Sequence, residues 1–320
     1  MSNPEHILVT GGAGFIGSHL VERLLGDGNS VTVIDDCSTG SLENLHQVRS
    51  DPRLRVVQSK VSECSALAAI VSESSSIFHL AAAVGVELVV NSPIRTIHTN
   101  LRETEAILEA ASQRSVPVLL TSTSEVYGKS QKSSFSEDDD LLIGPPHFGR
   151  WSYACSKLMD EFLAMAYARE RKLPVIVARL FNTVGPRQTG RYGMVLPRFI
   201  AAAKAGEPLK VYGDGRQSRC FCHVGDTVEA LVRLQTCKAA RNEIFNVGST
   251  EEISILELAE LVVRTLNSRS NLEHVPYDIA YAPGFDDMPR RRPAIDKLKN
   301  ATGFAPRTRL RDMIGLAART

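Results

Sequence analysis

Apolar and polar positions follow two rhythms along the first half of the chain. Short apolar runs at Ile7–Val9, Val31–Ile34, Leu54–Val57, Ser76–Leu80, Val116–Leu120 and Pro174–Leu180 read as buried strands. Between them apolar residues recur at helical spacing, first at Phe15, Ile16, Leu20, Val21, Leu24 and Leu25, then over Ile94–Gln113 and Tyr153–Arg171. Strands interleaved with helices predict an α/β fold with a doubly wound parallel sheet. Beyond Phe181 the pattern shifts to loops rich in Pro, Gly and Arg around shorter helices. The chain therefore divides into residues 1–180, a Rossmann-type domain, and residues 181–320, a smaller substrate lobe. A helical pattern at His223–Leu234 and a strand pattern at Ile244–Val247 predict that the stretch around 220–248 returns to the main sheet.

The first strand runs straight into Thr10-Gly11-Gly12-Ala13-Gly14-Phe15-Ile16-Gly17, and the first helix follows. Residues without side chains let the backbone approach a pyrophosphate, and the helix N-terminus offers free N–H groups and a positive dipole end. Gly11, Gly14, Phe15, Ile16 and Gly17 are the candidate cradle. The second strand ends in Asp35-Asp36, roughly 20 residues on, where a carboxylate can accept from an adenosine ribose. No Arg or Lys follows in Cys37-Ser38-Thr39-Gly40, so the pattern favours NAD over NADP.

Composition excludes several classes. A formal net charge of +1 on 320 residues argues against bulk nucleic-acid binding. No apolar run is long enough to span a bilayer, and Met1–His6 lacks the form of a signal peptide. Six scattered cysteines fit a reduced, cytoplasmic setting. Cys220-Phe221-Cys222-His223 lacks a second cluster at zinc-like spacing, so no metal is expected. The acidic run Glu137–Asp140 reads as a solvated loop.

Tyr153 and Lys157 stand four apart, which places them on one face of a helix. A neighbouring ammonium and a positive nicotinamide ring favour phenolate, so the phenol is expected to move down toward working pH as a general base. The run Val116–Leu120 is followed by Thr121-Ser122-Thr123-Ser124-Glu125-Val126-Tyr127-Gly128. That is the C-terminal end of a strand, where ligands bind in open parallel sheets.

These motifs resemble the extended short-chain dehydrogenase/reductases that act on nucleotide sugars. The resemblance also takes in His79-Leu80-Ala81-Ala82, Arg179–Arg187 and Val211-Tyr212-Gly213-Asp214-Gly215. It implies a tightly held NAD, touched also by Leu80, Ala81, Ala82 and Ser122. It further implies transient oxidation at the sugar 4-position and a UDP-sugar lobe with Asn182, Arg187, Val211, Tyr212 and Arg219 on the substrate. A homodimer through the Ile94–Gln113 and Tyr153–Arg171 helices is expected from the family.

Within that family the loops look most like UDP-glucuronate decarboxylases. Thr123-Ser124-Glu125 is similar to their catalytic triplet, Gly149-Arg150-Trp151 to the stretch before their tyrosine, and Gly284–Pro293 to the segment bearing their catalytic arginine, which falls on Arg291. The implied catalytic set is Tyr153, Lys157, Thr123, Ser124, Glu125 and Arg291. Oxidation at the 4-position makes a β-keto acid, which loses carbon dioxide readily; hydride return gives UDP-xylose, and earlier release gives the 4-keto pentose. Two departures stand out: Lys60 replaces an acid usual near the adenine, and Glu103 replaces a small residue. Gln188–Val195 looks closer to 4-epimerases, where Arg291 would grip the diphosphate instead. A non-catalytic NAD-binding sensor is the remaining reading from another class.

Overall fold

The computed structural model describes residues 4–84, 92–188, 194–280, 288 and 290–319. Thr189–Gly193 and much of the Gly284–Pro293 segment lie outside the described residues. The N-terminal strands are β1 (His6–Thr10), β2 (Ser30–Asp35), β3 (Leu54–Gln58), β4 (Ser76–His79), β5 (Val118–Thr123) and β6 (Val175–Leu180). Helices α1 (Phe15–Gly26), α2 (Leu67–Glu73), α3 (Pro93–Ser112) and α4 (Trp151–Arg171) connect them. Farther on come β7 (Thr183–Val184), α5 (Val195–Ala205), β8 (Leu209–Tyr212), β9 (Ser218–Cys220) and β10 (Cys222–His223). They are followed by α6 (Val224–Thr236), β11 (Glu243–Val247), β12 (Glu252–Ser254), α7 (Ile255–Thr265), β13 (Leu272–Val275) and β14 (Arg290–Arg291).

The main sheet has seven parallel strands in the order β11-β6-β5-β4-β1-β2-β3. The order reverses beside β1, which opens a crevice between β1 and β4 at their C-terminal ends. Both faces are covered. Leu20, Val21, Leu24 and Leu25 of α1 share one core with Val228, Leu231 and Leu234 of α6. Ile70, Ile107, Leu108 and Ala164 from α2, α3 and α4 build the other. A strand buried on both faces reads as a near-continuous apolar run, which is why β1, β2, β4, β5 and β6 stand out in the sequence, whereas the edge strand β3 is half-exposed. The expected return to the sheet is present: β11 pairs with β6 in register Ile244↔Val177 and Phe245↔Ala178.

A separate core gathers Leu196, Phe199, Leu209, Val211, Leu258, Val262 and Met313 from the C-terminal part. Beside it β9 pairs antiparallel with β12 and parallel with β14, which brings Arg291 opposite Arg219. This small sheet faces the C-terminal ends of the main strands and supplies the second wall of the site.

Candidate active site

One cavity of about 530 Å³ runs along this crevice. Its first wall is the glycine turn. Gly11 has φ +72°, and a Cβ there would lie 2.7 Å from the Ala81 nitrogen. A Cβ on Gly17 would lie 2.1 Å from the Gly11 carbonyl oxygen, so the turn closes only without side chains. Gly14 caps α1 with no side-chain hydrogen bond, and no acidic residue sits in the first turn. No side chain caps the leading N–H groups of α1, and its first residues Phe15, Ile16 and Gly17 line the cavity, as a pyrophosphate site requires. Phe15, Ile16, Leu80, Ala81 and Ala82 line the same stretch.

The two acids after β2 divide their work. Asp35 is buried, and its carboxylate accepts from the Ala13 and Cys37 N–H groups, each at 2.8 Å. It ties the end of β2 to the glycine turn, while Asp36 is half-buried on the cavity wall with Oδ1 accepting from Ser38 N–H. Burial pushes the Asp35 carboxyl up, against the Cys37, Ala13 and Gly14 N–H groups. Asp35 and Asp36 both line the cavity where a ribose hydroxyl would need an acceptor.

At the other end α4 carries Tyr153 and Lys157 on one face, and both line the cavity. The Tyr153 hydroxyl bonds the Thr123 side chain at the end of β5. Lys157 Nζ donates to Asp160 Oδ2 at 2.8 Å, an ion pair with both partners buried. The expected lowering of the phenol is not present in the protein alone. Burial pushes Tyr153 well above its usual value, the Glu125 carboxylate adds to this, and the Thr123 bond only partly offsets it. Lowering the phenol is therefore left to a cationic ring beside it.

Thr123 ends β5 and caps the turn that begins with Ser124 and Glu125, its Oγ1 accepting from Glu125 N–H. Arg291 Nη1 donates to Glu125 Oε1 at 3.3 Å, so β14 and the β5 turn meet across the cavity. Arg219 lines the wall beside Arg291, and Asn182 holds its Nδ2 on the Cys220 carbonyl at 2.8 Å.

Val211 lies off the cavity lining, while Arg187 and Ser122 line it with their side chains bonded to neighbours. Val211 is fully buried in the C-terminal core and its side chain lines no part of the cavity, whereas Tyr212 does. Strand β8 alternates, so the two neighbours point opposite ways. Arg187 reaches back to α1, bonding Ser18 Oγ at 3.1 Å and Glu22, so it flanks the phosphate cradle. Ser122 turns its hydroxyl to Glu161, which Arg179 grips in a buried ion pair. Glu137 is not simply solvated: its Oε1 accepts from Asn246 N–H and its carbonyl from Arg179.

Residues on and around the wall gave weaker signals. Asp160 lies three residues past Lys157, a spacing that marks a helical ion pair. Arg198 stacks over the Tyr212 ring at 4.1 Å, a contact between segments that no local pattern reveals. His223 caps α6 through Nδ1, and Cys222 is buried beside Thr227, so these residues are engaged in the fold.

Residues 8–316 match the family described as GDP-mannose 4,6 dehydratase. The chain belongs to that family. A UDP-N-acetyl-alpha-D-glucosaminuronate decarboxylase of Bacillus cytotoxicus is 41% identical over 94% of this chain and 93% of its own. UDP-glucuronic acid decarboxylase 2 of Arabidopsis thaliana is 38% identical over 97% of this chain and 66% of its own. The UDP-glucuronic acid 4-epimerase of Bacillus cereus, solved with UDP-glucuronic acid and NAD, superposes with a TM-score of 0.88 at 26% identity, covering 98% of each chain. NAD is the cofactor of this family, and the uncapped glycine cradle, Asp36 and the Tyr153–Lys157 wall fit it.

Proposed function

We propose that this enzyme is a UDP-glucuronate decarboxylase. The observation that carries the reading is the contact between Glu125 and Arg291 on the cavity wall, with Glu125 close enough to Tyr153 to raise its phenol. NAD bound in the cradle supplies a reversible hydride acceptor for the sugar 4-position. Tyr153 takes the 4-hydroxyl proton, and Thr123 holds the phenol at the end of β5. Oxidation leaves a ketone β to the carboxylate, and carbon dioxide departs as its electrons flow into an enolate. Arg291 orients the carboxylate, and Ser124 and Glu125 guide protonation of the resulting carbanion. Arg219, Asn182 and Tyr212 hold the UDP portion, whose binding energy fixes the reacting ring. Hydride return gives UDP-xylose; release before it gives the 4-keto pentose.

Residues 1–180, with the return around 220–248, serve as the cofactor domain and residues 181–320 as the UDP-sugar lobe. Ile94, Met159 and Phe162 are 73%, 53% and 60% exposed on the paired helices α3 and α4, which suits a homodimer through that face. Among the described residues no helix is long and apolar enough to cross a membrane. All six cysteines are free, which suits the cytoplasm.

Two further substrate readings have support. The 41% identical relative is named for the N-acetylated uronate, and the superposed neighbour is a 4-epimerase. Incubation with UDP-glucuronate and, separately, UDP-N-acetylglucosaminuronate, followed by mass and proton NMR analysis, separates the three. Loss of carbon dioxide from the first supports the proposal. Loss only from the second moves the substrate to the amino sugar. Unchanged mass with an inverted 4-hydroxyl would make the enzyme an epimerase.

A further inference from the structure

The wall of the cavity beyond Asp36 contains a carboxylate that the reaction does not use. Glu103, on α3, is 4% exposed yet borders the cavity with Ser59, Lys60, Val61 and Thr99. Pyrophosphate at Gly14 and the redox centre at Tyr153 fix the direction of a bound dinucleotide. Its adenosine must run toward β2 and β3, past Asp36, and end against these residues. Lys60 is the nearer cation, but its ammonium is drawn outward to Glu63 at 2.6 Å.

Glu103 Oε2 accepts from Val61 N–H at 2.5 Å and from Ser62 N–H at 3.2 Å, and Oε1 accepts from the Ser62 hydroxyl. A carboxylate has about four acceptor positions. Three are filled by the turn after β3, and among the described residues the position left is on Oε1. Adenine carries an exocyclic amino donor on its edge, whereas hypoxanthine carries an oxygen acceptor there. We propose that Glu103 selects adenine at this end of the cofactor site by accepting from the 6-amino group. This rests on the placement of NAD along the cavity.

The glutamine variant separates this role from simple support of the turn. In Glu103→Gln the amide oxygen can keep the Val61 and Ser62 N–H groups, which turns its NH2 toward Ser62 Oγ and the cavity. The site then presents a donor where it had an acceptor. The test is competition between NAD and nicotinamide hypoxanthine dinucleotide for the wild-type protein and the variant, read by native mass spectrometry, with thermal melting as a fold control. Wild type is expected to prefer NAD by about tenfold or more, the scale of a hydrogen bond to a charged acceptor. Glu103→Gln is expected to melt near wild type and to lose or reverse that preference. Glu103→Ala should also lose the preference, at reduced stability. Equal binding of the two dinucleotides by wild type, or an undiminished NAD preference in Glu103→Gln, would overturn the assignment. Failure of wild type to bind either dinucleotide would instead overturn the placement of the cofactor on which it rests.

Discussion

Replacing Arg179 with Met should destabilise the protein by about 3–5 kcal/mol, the range for breaking a buried ion pair from one side. Arg179 and Glu161 are each 3% exposed. The guanidinium gives Glu161 three contacts between 2.8 and 3.2 Å and donates to the Tyr127 hydroxyl at 3.0 Å. Burial works to lower the Arg179 pKa, but its bonds and charge contact with Glu161 prevail and raise it. Without Arg179 the carboxylate keeps, among the described residues, the Ser122 hydroxyl as its side-chain donor. Removing both charges, in Arg179→Met with Glu161→Leu, leaves no stranded ion. The double variant should therefore be more stable than Arg179→Met alone, with a coupling of about 1–3 kcal/mol. Equilibrium urea unfolding followed by tryptophan fluorescence suits the test, because the single Trp151 packs in the same cluster as Tyr127. A loss below about 1 kcal/mol in Arg179→Met, or strictly additive losses in the double variant, would refute the reasoning. The network matters for function because Ser122 precedes the Thr123 that holds Tyr153.

Tyr153→Phe should lower kcat by at least about 100-fold, the lower range for losing a general base, while NAD stays bound; near-normal turnover would remove Tyr153 from proton transfer. Glu125→Gln and Arg291→Ala should each leave cofactor binding intact and suppress carbon dioxide release, and normal release from either would take that residue out of the mechanism. Because burial and Glu125 raise the phenol, kcat/KM should fall as pH is lowered, and a rate that rises toward acid would contradict the base assignment. Burial lowers His79 to about 3 from 6.5, so the unfolded chain binds a proton that the folded one refuses. Folding stability should therefore fall as pH drops from about 6.5 toward about 3, and His79→Asn should flatten that part of the curve in denaturation measurements.

Much of the main sheet could be read from the chain because its strands are buried on both faces. Val31–Ile34 and Pro174–Leu180 stand out as apolar runs, and their observed ends differ from the expectation by a residue. The cradle was legible for a related reason: only glycine fits at Gly11 and Gly17, where neighbouring backbone would collide with a Cβ. Direction was harder to read than position. Asp35 and Asp36 are adjacent and both line the cavity, and that Ala13 and Cys37 donate to the first is a contact between turns that the sequence does not reveal. The Val211 assignment ignored a signal that was present, since Leu209-Lys210-Val211-Tyr212 alternates and puts Val211 inside with Leu209. The direction of the phenol shift was not legible, because it depends on how deeply Tyr153 sits and on Lys157 being turned to Asp160. The pairing of β9 with β14, which sets Arg219 beside Arg291, joins segments about seventy residues apart through strands of two or three residues. Strands that short carry no period of their own.

The most direct test of the central claim uses UDP-glucuronate deuterated at the sugar 4-position, incubated with enzyme and NAD in ordinary water and followed by mass analysis. The expected product is a UDP-pentose that has lost carbon dioxide, with the deuterium back at the 4-position or, if the keto sugar leaves early, on the reduced cofactor. A product of unchanged mass apart from inversion at that carbon, or deuterium lost to water, would contradict decarboxylation through hydride transfer at the 4-position.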